Sequence, residues 1–115
     1  MDINAILEKV DHTLLSPDAA WAGIKALCED GLEFKTASVC IPPSFVKRAA
    51  DFLGGRLPVC TVIGFPNGYA TTKAKVFETA DAVSNGASEI DMVINLGFVK
   101  EKRYSDVLDE IRAVR

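Results

Sequence analysis

Glu89-Ile90-Asp91-Met92-Val93-Ile94-Asn95 decides how this chain is read. The segment reads as a strand that carries two carboxylates two residues apart inside an apolar run. Side chains on a strand alternate faces, so Glu89 and Asp91 point one way and Ile90, Met92 and Ile94 the other. A carboxylate inside a packed domain is paired, hydrogen-bonded or protonated, because an unpaired buried charge is costly or shifts its pKa. Two on one face therefore call for cations or a wet site.

Outward from that strand, strand-like and helix-like segments alternate with a short period. Ile3 to Val10 reads as a short amphipathic helix and His12 to Leu15 as a brief strand. Ser16-Pro17-Asp18 has the form of a helix start, with Ala20, Ile24, Leu27 and Cys28 as its stripe and Gly31 as its stop. Phe34 to Ile41 is a strand, broken by Pro42-Pro43-Ser44. A helix follows through Phe45, Val46, Ala49, Ala50 and Leu53, closed by Gly54-Gly55. Pro58 to Phe65 is a third, nearly all apolar strand, and Pro66-Asn67-Gly68 a turn. Thr71 or Thr72 caps a helix through Val76, Ala80 and Val83, stopped by Asn85-Gly86. After the Glu89 strand, a last helix runs from about Lys100 to Val114 with Tyr104, Val107, Leu108 and Ile111.

Four β-α units in a row predict a parallel sheet with helical crossovers. A doubly wound open sheet and an arc of a (β/α)8 barrel both fit. The polar faces favour the arc. Thr36, Ser38 and Cys40 share one side of the second strand, and the two acids share one side of the fourth. A doubly wound sheet needs apolar residues on both. The α/β fold expected is thus a (β/α)4 half of a TIM barrel, in one unit over residues 1–115, since a whole barrel needs about 250 residues.

Composition narrows function. The net charge is −3 with no basic run, which argues against nucleic acid. No apolar run approaches the roughly 18 residues of a membrane helix, and charged residues interrupt the N-terminus where a signal peptide has its apolar core, so a cytoplasmic chain is expected. Three cysteines without CxxC spacing and a lone His12 give no expectation of structural zinc or a disulfide framework.

Asp91 is the main candidate for chemistry, as an acid/base group or proton relay set against a structural acid. Asp11 and Thr13 read as a cap and a strand hydroxyl, His12 as a packing residue, and Cys40 as a small buried thiol that could line a site. Gly64-Phe65-Pro66-Asn67-Gly68 lacks phosphate-loop spacing and reads as a turn. Trp21, Phe45 and Phe52 are expected to pack. Lys73 and Lys75 are expected to be solvated, and Lys35 to open a strand on the side opposite Cys40.

Asp11-His12-Thr13-Leu14-Leu15, Ser38-Val39-Cys40-Ile41-Pro42-Pro43, Val62-Ile63-Gly64-Phe65-Pro66-Asn67-Gly68 and Gly86-Ala87-Ser88-Glu89-Ile90-Asp91-Met92-Val93 together resemble the deoxyribose-phosphate aldolase family, in order and spacing. The resemblance implies a (β/α)8 barrel and a class I aldolase, which reversibly cleaves 2-deoxyribose 5-phosphate to glyceraldehyde 3-phosphate and acetaldehyde. It implies a Schiff-base lysine, a second lysine that lowers its pKa, and no metal or other cofactor. Asp91 matches the proton-relay aspartate. Asp11, Thr13, Cys40 and Phe65 match positions lining the substrate pocket, and Glu89 the inward acid beside the relay.

The resemblance places both lysines on the sixth and seventh strands and the phosphate site after the seventh and eighth. None of these falls within the 115 residues, so the isolated chain is expected to have little or no aldolase activity. A half barrel also leaves two strand edges unpaired, so self-association into a closed barrel is expected. A non-catalytic, self-assembling scaffold and a small doubly wound binding module are the alternatives.

Overall fold

Four parallel strands lie side by side in chain order. The computed structural model describes residues 2–115. The elements are α1 (Ile3–Leu7), β1 (Asp11–Thr13), α2 (Trp21–Phe34), β2 (Ser38–Ile41), a 3-10 turn (Pro43–Phe45), α3 (Val46–Leu53), β3 (Val59–Ile63), α4 (Thr72–Ser84), β4 (Glu89–Met92), α5 (Leu96–Lys100) and α6 (Tyr104–Val114). Asp11 pairs with Ser38, Cys40 with Cys60, and Val62 with Asp91.

Each strand has two different faces. Val39, Ile41, Val59 and Ile63 pack with Ile24, Leu27 and Cys28 of α2, with Val46, Ala49 and Leu53 of α3 and with Ala82 of α4. Cys40, Cys60 and Val62 face the other way, where only Leu15 joins them. Helices therefore cover one face alone, and the doubly wound alternative is excluded. The arrangement is the (β/α)4 arc of a barrel.

Several boundaries differ from the sequence expectation. Pro17 lies in a turn, and α2 begins at Trp21 without a side-chain cap. Gly31 is inside α2, because a Cβ there would press on Leu57 and Val39; close packing rather than chain termination explains the glycine. Lys35, in the left-handed conformation, ends the helix instead of opening a strand. The last helical stretch is two helices, α5 capped by the Asn95 side chain and then α6.

The larger correction concerns α4. Its buried positions are Lys75, Thr79 and Ala82, whereas Val76 and Val83 of the expected stripe are exposed. Lys75 is not solvated but fully buried. Its ammonium donates to Glu110 Oε1 at 2.6 Å, to Gly68 O at 2.7 Å and to Val93 O at 2.9 Å. Glu110 also accepts from Thr72 Oγ1 at 2.9 Å. Three donors meeting three acceptors is what makes a buried ammonium tolerable.

This clasp ties the loops that follow β3 and β4 to α4 and α6. Backbone contact tightens it. Gly68 has φ +78, and a Cβ on it would collide with the Ile94 carbonyl oxygen. Gly64 has φ +64 and lets the Lys75 stem lie against it, where a Cβ would stand 2.8 Å from Cε.

Removing one partner of such a pair strands the other. Lys75→Ala is expected to lower unfolding free energy by about 3–5 kcal/mol in urea titrations, while Lys75→Met combined with Glu110→Leu costs far less. Equal losses in the two variants would mean that the charge pairing is immaterial.

Candidate active site

The inward face is built in layers by the strand register. Thr13, Cys40, Cys60 and Glu89 form one row across the sheet, because Thr13 pairs with Cys40, Cys40 with Cys60 and Cys60 with Glu89. Asp11 and Ser38 lie one step toward the N-terminal ends, and Val62 and Asp91 one step toward the C-terminal ends. Asp91 thus stands nearest the rim where barrel enzymes keep their chemistry.

Of the residues singled out in the sequence, Asp11, Thr13, Cys40, Glu89 and Asp91 come together on this face. Phe65 sits in the loop after β3, 47% exposed, and lines a cavity of about 120 Å³ with Leu15, Pro42, Pro43, Val62 and Glu78. His12 points to the helix side, 3.5 Å from Asp30. Trp21 packs edge-on against Phe52, with centroids 6.0 Å apart, beneath the Arg48 guanidinium.

Local bonds hold several of the polar groups. Asp11 Oδ1 accepts from Ser38 Oγ at 2.7 Å, and the Thr13 hydroxyl donates to the Asp11 carbonyl at 2.7 Å. Ser38, which the residue motifs carried without a role, is fully buried and orients Asp11. Glu89 and Asp91 are exposed and form no ion pair among the described residues. Solvent meets the need for partners that their spacing announced.

The thiols are sharply differentiated. A hydrogen bond from Cys60 holds the Cys40 thiol below its ordinary 9.0; Thr13 adds to this, while burial and the charges of Asp91 and Asp11 oppose it. The same contact, with burial and carboxylate repulsion, pushes Cys60 far up. Burial, then Glu29, raises Cys28 behind the sheet. The face therefore offers carboxylates and one activated thiol but no amine. Each inward position on the four strands is acidic, hydroxyl, thiol or apolar.

Comparison with known proteins now bears on this geometry. The model of the "DeoC/LacD family aldolase" matches residues 5–115. The chain belongs to that family. It is 54% identical over 115 residues to a deoxyribose-phosphate aldolase of Streptococcus pyogenes serotype M5 (strain Manfredo), covering all of this chain and 52% of the relative. The chain thus spans about half the length of the curated relatives it matches. Among solved structures, a candidate deoxyribose-phosphate aldolase of Coccidioides immitis superposes with a TM-score of 0.95 at 44% identity, over 100% of this chain and 46% of that one. An aldolase called QR15 follows at 0.89 and 33%, over 95% and 49%.

The cysteine environments give an ordered titration. Followed by carbon-13 NMR of Cβ, Cys40 is expected to ionise below the ordinary thiol value, while Cys60 and Cys28 stay protonated past it. Cys60→Ala removes the donor and should move Cys40 upward. Coincident titration of all three would contradict the geometry.

Proposed function

We propose that these 115 residues act as the proton-handling half of a class I deoxyribose-phosphate aldolase. Family membership supports this, and so does the inward row of carboxylates without an amine. In this reading a lysine from the complementary half-barrel condenses with the aldehyde, releasing water and forming an imine. In cleavage, Asp91, through a water, takes the proton of the C3 hydroxyl as the C2–C3 bond breaks. Glyceraldehyde 3-phosphate leaves, and the bond's electron pair forms the enamine. The same relay then protonates the enamine carbon before water hydrolyses the imine to acetaldehyde and free lysine. Asp11, Thr13, Cys40 and Phe65 line the substrate pocket, and Glu89 stands beside the relay. The substrate is a phosphorylated deoxy-sugar whose phosphate the other half holds. The free buried thiols suit the cytoplasm.

Borohydride with acetaldehyde, read by intact mass, tests this. No adduct is expected on the 115-residue chain. After co-refolding with the C-terminal half of the Streptococcus pyogenes relative, the adduct should appear on the added half, with cleavage of 2-deoxyribose 5-phosphate. Asp91→Asn should then lower kcat about 100-fold or more without preventing the adduct, in line with loss of general acid/base catalysis. A stoichiometric adduct on the chain alone would sink the reading.

Self-association is the second reading, and the uncovered β4 border favours it. Ile90, Met92 and Ile94 line a cavity of about 320 Å³ with Ile111, Val114 and Arg115. β1 and β4 are both sheet edges, each with a free row of backbone groups. Pairing β1 of one copy with β4 of another closes an eight-stranded ring and covers both edges. Light scattering at micromolar concentration should give a dimer; a well-folded monomer would defeat this second reading and leave the first standing.

A further inference from the structure

Two free cysteines stand directly opposite one another on the inward face. Cys40 of β2 and Cys60 of β3 are register partners, and both side chains point away from the helices. Each residue is 4% exposed, in contact with Val62 and Leu15. Neighbouring strands lie about 4.8 Å apart, inside the Cα window that a disulfide spans. Each thiol shifts the ionisation of the other, so the two are close enough to interact. Cys28 is on the other side of the sheet, fully buried among α2 and α3 residues, and cannot compete.

We propose that Cys40 and Cys60 form a peroxide-responsive dithiol site, closing reversibly to a disulfide across β2 and β3. The chemistry balances without any further reactant. The Cys40 thiolate attacks hydrogen peroxide; the oxygen–oxygen bond breaks, a sulfur–oxygen bond forms, and the departing hydroxide takes a proton to leave as water. The sulfur is oxidised to a sulfenic acid and the peroxide is reduced. Cys60 sulfur then attacks Cys40 sulfur. The sulfur–sulfur bond forms, the sulfur–oxygen bond breaks, and hydroxide leaves with the Cys60 proton as a second water. Two thiols and one peroxide give one disulfide and two waters.

The two cysteines have different parts in this. Cys40 has the stabilised thiolate and reacts first; Cys60 stays protonated and resolves the sulfenic acid. Closure removes the Cys40 thiol from the face that carries Asp11 and Asp91, so the site changes with redox state while the helix-side core is untouched.

The test is performed on the folded chain and needs no aldolase activity. After treatment with a small excess of hydrogen peroxide, two of three thiols should disappear. The intact mass should fall by two hydrogens, and a non-reducing digest should give a Cys40–Cys60 linked peptide, reversed by dithiothreitol. Cys60→Ser should instead accumulate a sulfenic acid on Cys40 that dimedone traps. Cys40→Ser should leave Cys60 reduced over the same time. Oxidation of Cys28 at an equal rate, sulfinic acid on Cys40 with Cys60 intact in the unaltered chain, or only intermolecular disulfides would overturn the proposal. In urea the preference for the pair should vanish, which separates folded geometry from intrinsic reactivity.

Discussion

The structure depends on the strands having two unlike faces. Val39, Ile41, Val59 and Ile63 give the helices an apolar wall, and burying them supplies the main driving force for folding. The alternate positions, Ser38, Cys40, Cys60, Glu89 and Asp91, are then forced to the other side by the pleat. Slipping β4 by one residue would turn Glu89 and Asp91 to the helix side, and slipping β2 or β3 would put Ser38, Cys40 or Cys60 there in place of the apolar wall. Register, core and site are therefore one constraint. The chain cannot keep its helix-side core without presenting the acids together on the inward face.

The Lys75–Glu110 pair extends that order to the loops. A sheet alone would leave the segments after β3 and β4 free to wander, yet these segments carry Phe65 and follow Asp91 directly. By gathering Gly68 O, Val93 O and Glu110 around one buried ammonium, the fold fixes both loops to α4 and α6. A lysine that looks like a catalytic amine by its burial is in fact fully engaged in bonding. Its ammonium is committed to Glu110 and to the Gly68 and Val93 carbonyls, and it bonds to neither Glu89 nor Asp91.

The fold was legible in the sequence where local chemistry and global position agreed. The alternation in Ser38–Ile41 and Glu89–Met92 revealed both faces of β2 and β4, and the Gly54 and Asn85-Gly86 stops held. Legibility failed on α4 and α6. Their most apolar stripes, Val76–Ala80–Val83 and Tyr104–Leu108–Ile111, lie largely outside the core, while Lys75, Thr79 and Glu110 go in. An amphipathic pattern identifies a helix but not what its stripe covers, and here the inward stripes are polar because they carry the clasp. The i, i+4, i+7 spacing of Lys75, Thr79 and Ala82 was the available signal. At the site, Asp91 and Cys40 could be picked out by strand parity. The Cys40–Cys60 pairing could not, since it depends on the register between two strands.

The inward face of carboxylates and thiols is proposed to be one half of a larger site, already shaped in this chain. Amide and methyl chemical-shift mapping tests that most directly, with the isotope-labelled chain titrated by an unlabelled C-terminal half-barrel from the family. The perturbations should fall on β1, β4 and the inward side chains of Asp11, Cys40, Glu89 and Asp91, with Val39, Ile41 and Ile63 nearly unmoved. Shifts confined to the outer faces of α4 and α6, or rearrangement of the helix-side core, would contradict the account.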